Sequence, residues 1–369
     1  MKSQIRIADA TVALSGDTCR VMSSDTQLFH YVSHRNNMMV VRYYLSLCVL
    51  LAHASVLTGY DFPWLQRGTV DVGCFFAISG FLMFPSYQKR RSFKHYIRRR
   101  ALRILPSYFF IILLCAIGLV AVSTLPAADY FTSPGFWKYL GANISTLNFL
   151  QPDLPGVFTG SQFHTSAVNG SLWTMKGEWV CYLSVPLVFW MVMRHKRLSG
   201  LIMASVLILA IAMRCIFSSL ASSTGAEIYS IIARQFGTLL VFFYVGALIN
   251  RYYTCFLRYR WWILAADILI LLLGTSLPFY SELFQPVMAG SLIIWVSMIG
   301  SWGTFLSRFD SISYDIYLYH FPVIQLAICL GLDSFMPPAA MLAVIVIFTV
   351  ALAFTSWRLI GRHFNNMYR

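Results

Sequence analysis

The sequence predicts an all-α integral membrane protein with about ten transmembrane helices and both termini in the cytoplasm. Hydrophobic residues make up 58% of the 369 residues, charged residues only 11%, and the mean hydropathy is +0.66, which is unusual for a water-soluble chain of this length. Segments such as FFIILLCAIGLVAV are apolar on every face, which favours helices over the alternating strands of a membrane barrel. Apolar segments long enough to cross a hydrocarbon core of about 30 Å lie near residues 39–58, 70–87, 104–124, 172–193, 199–220, 231–250, 261–277, 285–304, 312–331 and 337–358.

The positive charge of the chain lies in short connections between the predicted spans. The net charge is +14, and Lys and Arg cluster at 89–103, at 194–197, at 251–260 and near the carboxyl terminus. The connections on the opposite side contain only Arg67 and Lys138 as Lys or Arg. Under the positive-inside rule the basic connections are cytoplasmic, which places both termini inside. The charge is thus explained by topology, and no nucleic-acid partner is expected.

Two parts of the chain depart from the alternation of spans and short connections. Residues 1–37 are polar and lack the continuous apolar segment of a secretory signal, so they are predicted to be a cytoplasmic amino-terminal extension. The alternative is an over-long gene model in which Met38 or Met39 is the start. The outer connection from 125 to 171 is long enough to form a lid over an outward cavity, although an ordinary surface loop is the simpler interpretation.

Arg42 and His53 lie eleven positions apart in the first predicted span. On a helix, this spacing leaves them about 20° from alignment after three turns and about 16 Å apart along the axis, so they share one face. Both residues are costly in a membrane unless they face a cavity or a partner. An imidazole can accept a proton near neutral pH, which makes His53 a candidate general base. The alternatives are a hydrogen-bonded core histidine and an arginine that reaches lipid phosphates.

Further segments bring polar groups into or beside the spans. Glu178 lies within a span, where an unpaired carboxylate is costly, so we expect it to pair with Lys176, Arg42 or His53. No spacing of Cys and His is typical of a metal site, and no metal is expected. The segments are FFAISGF at 75–81, RRALRILPSY at 99–108, SLWTMKGEWVCYL at 171–183 and SYDIYLYHFPV at 313–323.

With these motifs the chain resembles the acyltransferase 3 family of bacterial membrane O-acyltransferases, which acylate sugars of cell-surface polysaccharides and related glycans. The family's first span typically carries Arg, ten residues and then His, as at Arg42 and His53. The chain departs from the family pattern at Met39, where an acidic residue is common, and at Asp71, which is offset by two positions. The other matches, in family order, are Phe75, Phe76, Ser79, Gly80, Phe81 and Leu82; Arg100, Arg103, Ile104, Pro106 and Tyr108; Leu172, Trp173, Thr174, Glu178 and Tyr182; and Ser313, Tyr314, Tyr317, Leu318 and His320.

The resemblance implies roles for ten candidate site residues, and Gly80 is considered together with Ser79. His53 is the expected general base, Arg42 positions or polarises the donor, and Glu178 either orients the catalytic histidine or forms a structural ion pair. His320 ranks below His53, and Ser79 with Gly80 is expected to permit close helix contact rather than to act as a nucleophile. The expected donor contacts are Arg100, Arg103 and Tyr108, and the expected substrate-cavity residues are Trp173, Ser79, Tyr314 and His320.

The implied activity moves an acyl group, most simply acetyl, from cytoplasmic acyl-coenzyme A to a hydroxyl of a cell-surface or lipid-linked glycan. Residues 38–369 would form this acyltransferase domain in the bacterial inner membrane, with acyl-coenzyme A, the glycan and the lipid bilayer as its partners. The alternative is a membrane transporter or flippase of a glycan or acyl donor. A third interpretation is a non-catalytic partner of polysaccharide-assembly proteins.

Overall fold

The computed structural model describes residues 28–31, 36–60, 68–301, 303–309 and 312–366, within which all regular structure is helical and no strand occurs. The predicted all-α class is therefore confirmed. In chain order the α-helices are α1 (Met38–Thr58), α2 (Gly68–Gln88), α3 (Phe93–Gly118), α4 (Ala127–Thr132), α5 (Pro134–Ile144), α6 (Thr174–Arg194), α7 (Ser199–Thr224), α8 (Glu227–Ile232), α9 (Leu239–Arg251), α10 (Tyr253–Arg258), α11 (Arg260–Leu273), α12 (Gln285–Met298), α13 (Ile312–Cys329), α14 (Leu332–Phe335), α15 (Pro338–Ser356) and α16 (Arg362–Asn366).

Each predicted span overlaps one of the longer helices or a pair joined end to end, as α8 and α9 are joined through a π-helical turn at Ala233–Thr238. In the described part of the chain, six helical segments are long and apolar enough to cross a membrane, which makes the chain a multi-pass membrane protein. The count of ten spans and the cytoplasmic position of both termini stay predictions. The six segments are Met38–Thr58, Gly68–Gln88, Phe93–Val122, Lys196–Thr224, Glu227–Arg251 and Pro338–Phe364.

Two sets of contacts between helices determine where the candidate site residues lie. Helix α13 is buried along nearly its whole length and packs between α1 and α15. Helices α2 and α9 approach so closely that a Cβ atom at Gly80 would overlap the carbonyl oxygen of Phe243, and one at Gly246 would overlap that of Ala77. Only glycine permits such backbone contact between helices. The expectation that Gly80 permits close packing is confirmed.

The long connection between α3 and α6 is folded and contains α4 and α5. Tyr108 of α3 donates a hydrogen bond to the carbonyl oxygen of Asn143 in α5 at 2.6 Å. The final part of the connection packs on α13, where Asn169 donates to the carbonyl oxygen of Leu318 at 2.8 Å and Gln325 donates to two carbonyl groups at 2.8 and 3.0 Å. These bonds make the connection an ordered cover over one end of α13.

Part of the predicted amino-terminal extension is bound to the bundle, whereas residues 1–27 and 32–35 lie outside the described residues. The side-chain amide of Gln88, at the end of α2, accepts from the backbone of Phe29 at 3.0 Å and donates back to its carbonyl oxygen at 3.0 Å. Asn250, at the end of α9, makes the same two contacts with His30, each at 3.0 Å. Residues 28–30 are thus held by side chains that satisfy their backbone groups.

Phe29 tests how much this segment stabilises the protein. It is 1% exposed and its ring stacks on Phe84 with centroids 4.8 Å apart. We expect Phe29→Ala to lower the free energy of unfolding by about 3 kcal/mol, because a buried aromatic contact is lost. The measurement is the thermal midpoint of detergent-purified protein. Tyr31→Ala is the control, since Tyr31 is 51% exposed, and an equal decrease in both variants would contradict the prediction.

Candidate active site

A cavity between α1, α2, α3, α6 and α13 brings together most of the predicted site residues. The cavity has a volume of about 110 Å³ that water-sized molecules can enter. Its apolar wall comes mainly from α2, including Phe75 and Leu82. Of the ten residues predicted for the site, six lie in the described cavity wall: Arg42, Ser79, Arg100, Arg103, Glu178 and Tyr314.

Positive charge dominates the polar side of this cavity. Arg42 lies one turn into α1, and Arg100 and Arg103 lie one turn apart on α3. Glu178 is the only acidic residue among the described lining residues; the charges of the three arginines act on it, and the hydroxyl of Tyr182 donates to its Oε1. Three guanidinium groups against one carboxylate leave an excess of two formal positive charges. The cavity is therefore suited to an anionic ligand.

Lys176 does not share this environment with Glu178. Its Nζ donates to Oδ1 of Asn148 at 3.0 Å and lies 4.7 Å from the ring centroid of Phe149. Of the three partners considered for Glu178 from the sequence, Arg42 is the one that lines the same cavity.

Two polar groups of the cavity wall have no hydrogen-bond partner among the described residues. They are Nε of Arg100, which is 8% exposed, and the hydroxyl of Ser313, which is 0% exposed. A buried donor left without an acceptor costs about 1–3 kcal/mol. These donors are available to a ligand that carries acceptor oxygens, such as phosphate or carbonyl groups.

His53 lies three turns beyond Arg42, near the carboxyl end of α1, and pairs with a histidine of α13. Its Nδ1 is 2.8 Å from Nε2 of His320, and the two rings stack with centroids 5.0 Å apart. His320 is 0% exposed, whereas His53 is partly exposed. An imidazole that is oriented by a buried neighbour and still accessible is suited to accept a proton from a hydroxyl group.

Tyr317 connects the cavity with the histidine pair. Its side chain lines the cavity, and its ring centroid is 5.9 Å from that of His320. Its hydroxyl lies 2.9 Å from the carbonyl oxygen of Ser171 and 3.1 Å from Oγ1 of Thr174, which anchors the start of α6 on α13. Tyr317 matches the family motif but is not one of the ten predicted site residues. A second signal in the sequence is its position three residues before His320, on the same side of the helix.

Comparison with known proteins shows the family to which the chain belongs. Residues 35–358 match the family model of an acyltransferase domain. The chain belongs to this family. It is an acyltransferase, and the resemblance inferred from its motifs is confirmed.

Two proteins are similar to this acyltransferase over most of their length. The Nodulation protein 10 of Rhizobium leguminosarum bv. viciae is 26% identical over 363 residues, which cover 90% of this chain and 93% of that protein. The O-acetyl transferase of Shigella phage Sf6 is 26% identical over 343 residues, which cover 90% of this chain and 96% of that protein. No solved structure matched the chain.

Four residues predicted for the acyltransferase site lie outside the cavity wall. His53 and His320 form the histidine pair. Tyr108 is 0% exposed and its hydroxyl is used to hold α5. Trp173 immediately precedes the cavity residue Thr174, and its ring centroid lies 5.0 Å from the guanidinium carbon of Arg234.

Proposed function

We propose that the acyltransferase moves an acetyl group from acyl-coenzyme A to a hydroxyl of a cell-surface or lipid-linked glycan. The observation that carries this proposal is that α1 contributes Arg42 to the arginine-lined cavity and, three turns later, His53 to the histidine pair. A relative is named an O-acetyl transferase, which favours acetyl as the group and oxygen as the acceptor atom. The glycan acceptor follows from the motif resemblance.

The donor occupies the cavity in this proposal. Coenzyme A carries phosphates, and Arg100 and Arg103 present guanidinium groups that bind phosphate oxygens with charge-assisted hydrogen bonds. The unpaired Nε of Arg100 is one donor available for this purpose. Arg42 positions the donor, and Glu178 keeps the arginines in place through their opposite charge. Tyr108 contributes by holding α3, which carries the two phosphate-binding residues Arg100 and Arg103.

The reaction forms an ester bond and breaks a thioester bond. The acceptor oxygen attacks the thioester carbonyl carbon while His53 takes the hydroxyl proton. The carbon–sulfur bond then breaks, and the proton held by His53 passes to the departing thiolate, which leaves as the coenzyme A thiol. Removal of the hydroxyl proton by a positioned base is the step that His53 accelerates.

The two substrates reach the site from opposite sides of the bilayer. Arg42 lies about 6 Å of helix rise from the start of α1, which the basic connections predict to be cytoplasmic. His53 lies about 8 Å from the other end, nearer the outer surface. Trp173 offers a partly exposed aromatic face there for a sugar ring. The proposed location is the bacterial inner membrane, where cytoplasmic donor and outward-facing glycan are both within reach.

Transfer of label distinguishes this function from transport. Membranes of the producing bacterium are incubated with acetyl-coenzyme A labelled in the acetyl group, and surface glycans are analysed by mass spectrometry. We expect labelled acetyl esters on glycan and release of one coenzyme A thiol per ester. Membranes from a deletion strain are the control. Label that crosses sealed vesicles without ester formation would instead favour a transporter and overturn the proposal.

A further inference from the structure

We propose that His320 is a positioning residue that holds His53 in the one neutral tautomer whose Nε2 is free to act as the base. The inference deepens the proposed function, since it rests on His53 being the general base. The sequence suggested Glu178 as the group that orients the catalytic histidine. The geometry points to His320 instead, because Glu178 lines the arginine cavity whereas His320 contacts His53 directly.

The backbone of α13 determines which nitrogen of His320 carries hydrogen. Nδ1 of His320 lies 3.2 Å from the carbonyl oxygen of Ile316, one turn earlier. A carbonyl oxygen can only accept a hydrogen bond, so Nδ1 must be the donor. A neutral imidazole has one N–H group, which leaves Nε2 of His320 as an acceptor. The opposite tautomer would place two lone pairs against each other and is disfavoured.

The tautomer of His320 determines the tautomer of His53. Because Nε2 of His320 accepts, Nδ1 of His53, at 2.8 Å, must donate. The hydroxyl of Ser171 lies farther from Nε2 of His320, at 3.3 Å, and is the weaker competitor. Nε2 of His53 is left without hydrogen and can take a proton.

Neighbouring aromatic rings fix the orientation of the His53 ring as well as its tautomer. The ring of Phe321 meets that of His53 edge to face, with centroids 5.3 Å apart, and His320 stacks against it at 5.0 Å. His320 is completely buried, so it acts on a substrate only through His53. A carboxylate in this place would add a charge that burial penalises, whereas a neutral imidazole orients His53 without one.

Two substitutions of His320 distinguish loss of its hydrogen bond to His53 from loss of its packing. The Oε1 atom of Gln lies close to the position of Nε2 in His and can accept from His53, whereas Met has similar bulk and no comparable acceptor. We expect His320→Met to reduce kcat for acetyl transfer to glycan by about 100-fold or more, as expected when a general base loses its orienting partner. His320→Gln should stay within about tenfold of the wild type. The KM for acetyl-coenzyme A should change less than about threefold in both, since His320 does not line the donor cavity.

Tyr319→Phe is the matched control. Tyr319 is buried on the same helix, and its hydroxyl lies 2.6 Å from Oγ of Ser356, away from the histidine pair. This variant loses a buried hydrogen bond of α13 and should keep wild-type kcat. A comparable loss of kcat in Tyr319→Phe and His320→Met would identify a structural effect and overturn the inference.

Failure of the inference and failure of the proposed function give different results. Wild-type activity of His320→Met together with an inactive His53→Ala overturns the positioning role alone. Activity in both variants refutes His53 as the general base and the inference with it, whereas absence of acetyl transfer by the wild-type protein overturns the proposed function. If His320→Met does not accumulate in membranes, His320→Asn decides: its shorter amide cannot reach His53, so Asn and Gln variants of equal activity contradict the inference.

Discussion

His53→Ala is expected to abolish acetyl transfer while leaving donor binding intact. A hydroxyl group is a poor nucleophile until its proton is removed, and a positioned base contributes about 10²- to 10⁴-fold to such reactions. We therefore expect kcat to fall by at least about 1,000-fold. The dissociation constant for acetyl-coenzyme A should stay within about threefold of the wild type, because His53 does not line the arginine cavity.

The control for His53→Ala is His195→Ala, since His195 is exposed at the end of α6 and far from the site in the chain. Both purified variants are compared with the wild type by gel filtration and thermal unfolding, so that loss of activity can be separated from loss of fold. Retained turnover in correctly folded His53→Ala protein would refute the assignment of His53 as general base.

Arg103→Ala is expected to weaken acetyl-coenzyme A binding by about 30-fold, because a charge-assisted hydrogen bond to phosphate contributes about 1.5–3 kcal/mol. Arg103→Lys should give an intermediate affinity, since it keeps the charge and loses the forked geometry. The KM for the glycan should change little. The measurement is titration of purified protein with acetyl-coenzyme A.

The ligand itself provides a sharper control. Acetyl-pantetheine carries the thioester arm without the adenosine phosphates, so its affinity should be the same for wild-type protein and Arg103→Ala. Arg98→Ala is the matched protein control, because Arg98 is exposed on the same helix and does not line the cavity. Equal weakening by Arg98→Ala and Arg103→Ala would indicate general surface attraction and contradict a specific clamp.

Much of the architecture could be predicted because its causes are local. Every predicted apolar segment overlaps a helix, since a backbone in lipid must satisfy its own hydrogen bonds. The spacing of Arg42 and His53 was likewise a property of one helix. The structure adds that the two residues lie in different environments: Arg42 lines the cationic cavity, and His53 pairs with His320.

Other parts of the site depended on contacts between distant segments. Lys176 and Glu178 are two residues apart, yet one turns to Asn148 while the other faces three arginines. Tyr108 matched a motif, but its hydroxyl holds α5. Neither outcome follows from spacing alone, because the direction of a side chain on a helix acquires meaning only once its neighbours are known.

The sequence by itself determined the helical membrane fold, the acyltransferase family and the candidate residues. Hydropathy, helical period and the order of the motifs can all be read from the linear chain. Only the tertiary structure decided which of them meet. His53 and His320 are separated by 267 positions and touch because α1 packs against α13. The physical reason is that helix packing joins faces of distant segments, and no local pattern specifies that choice.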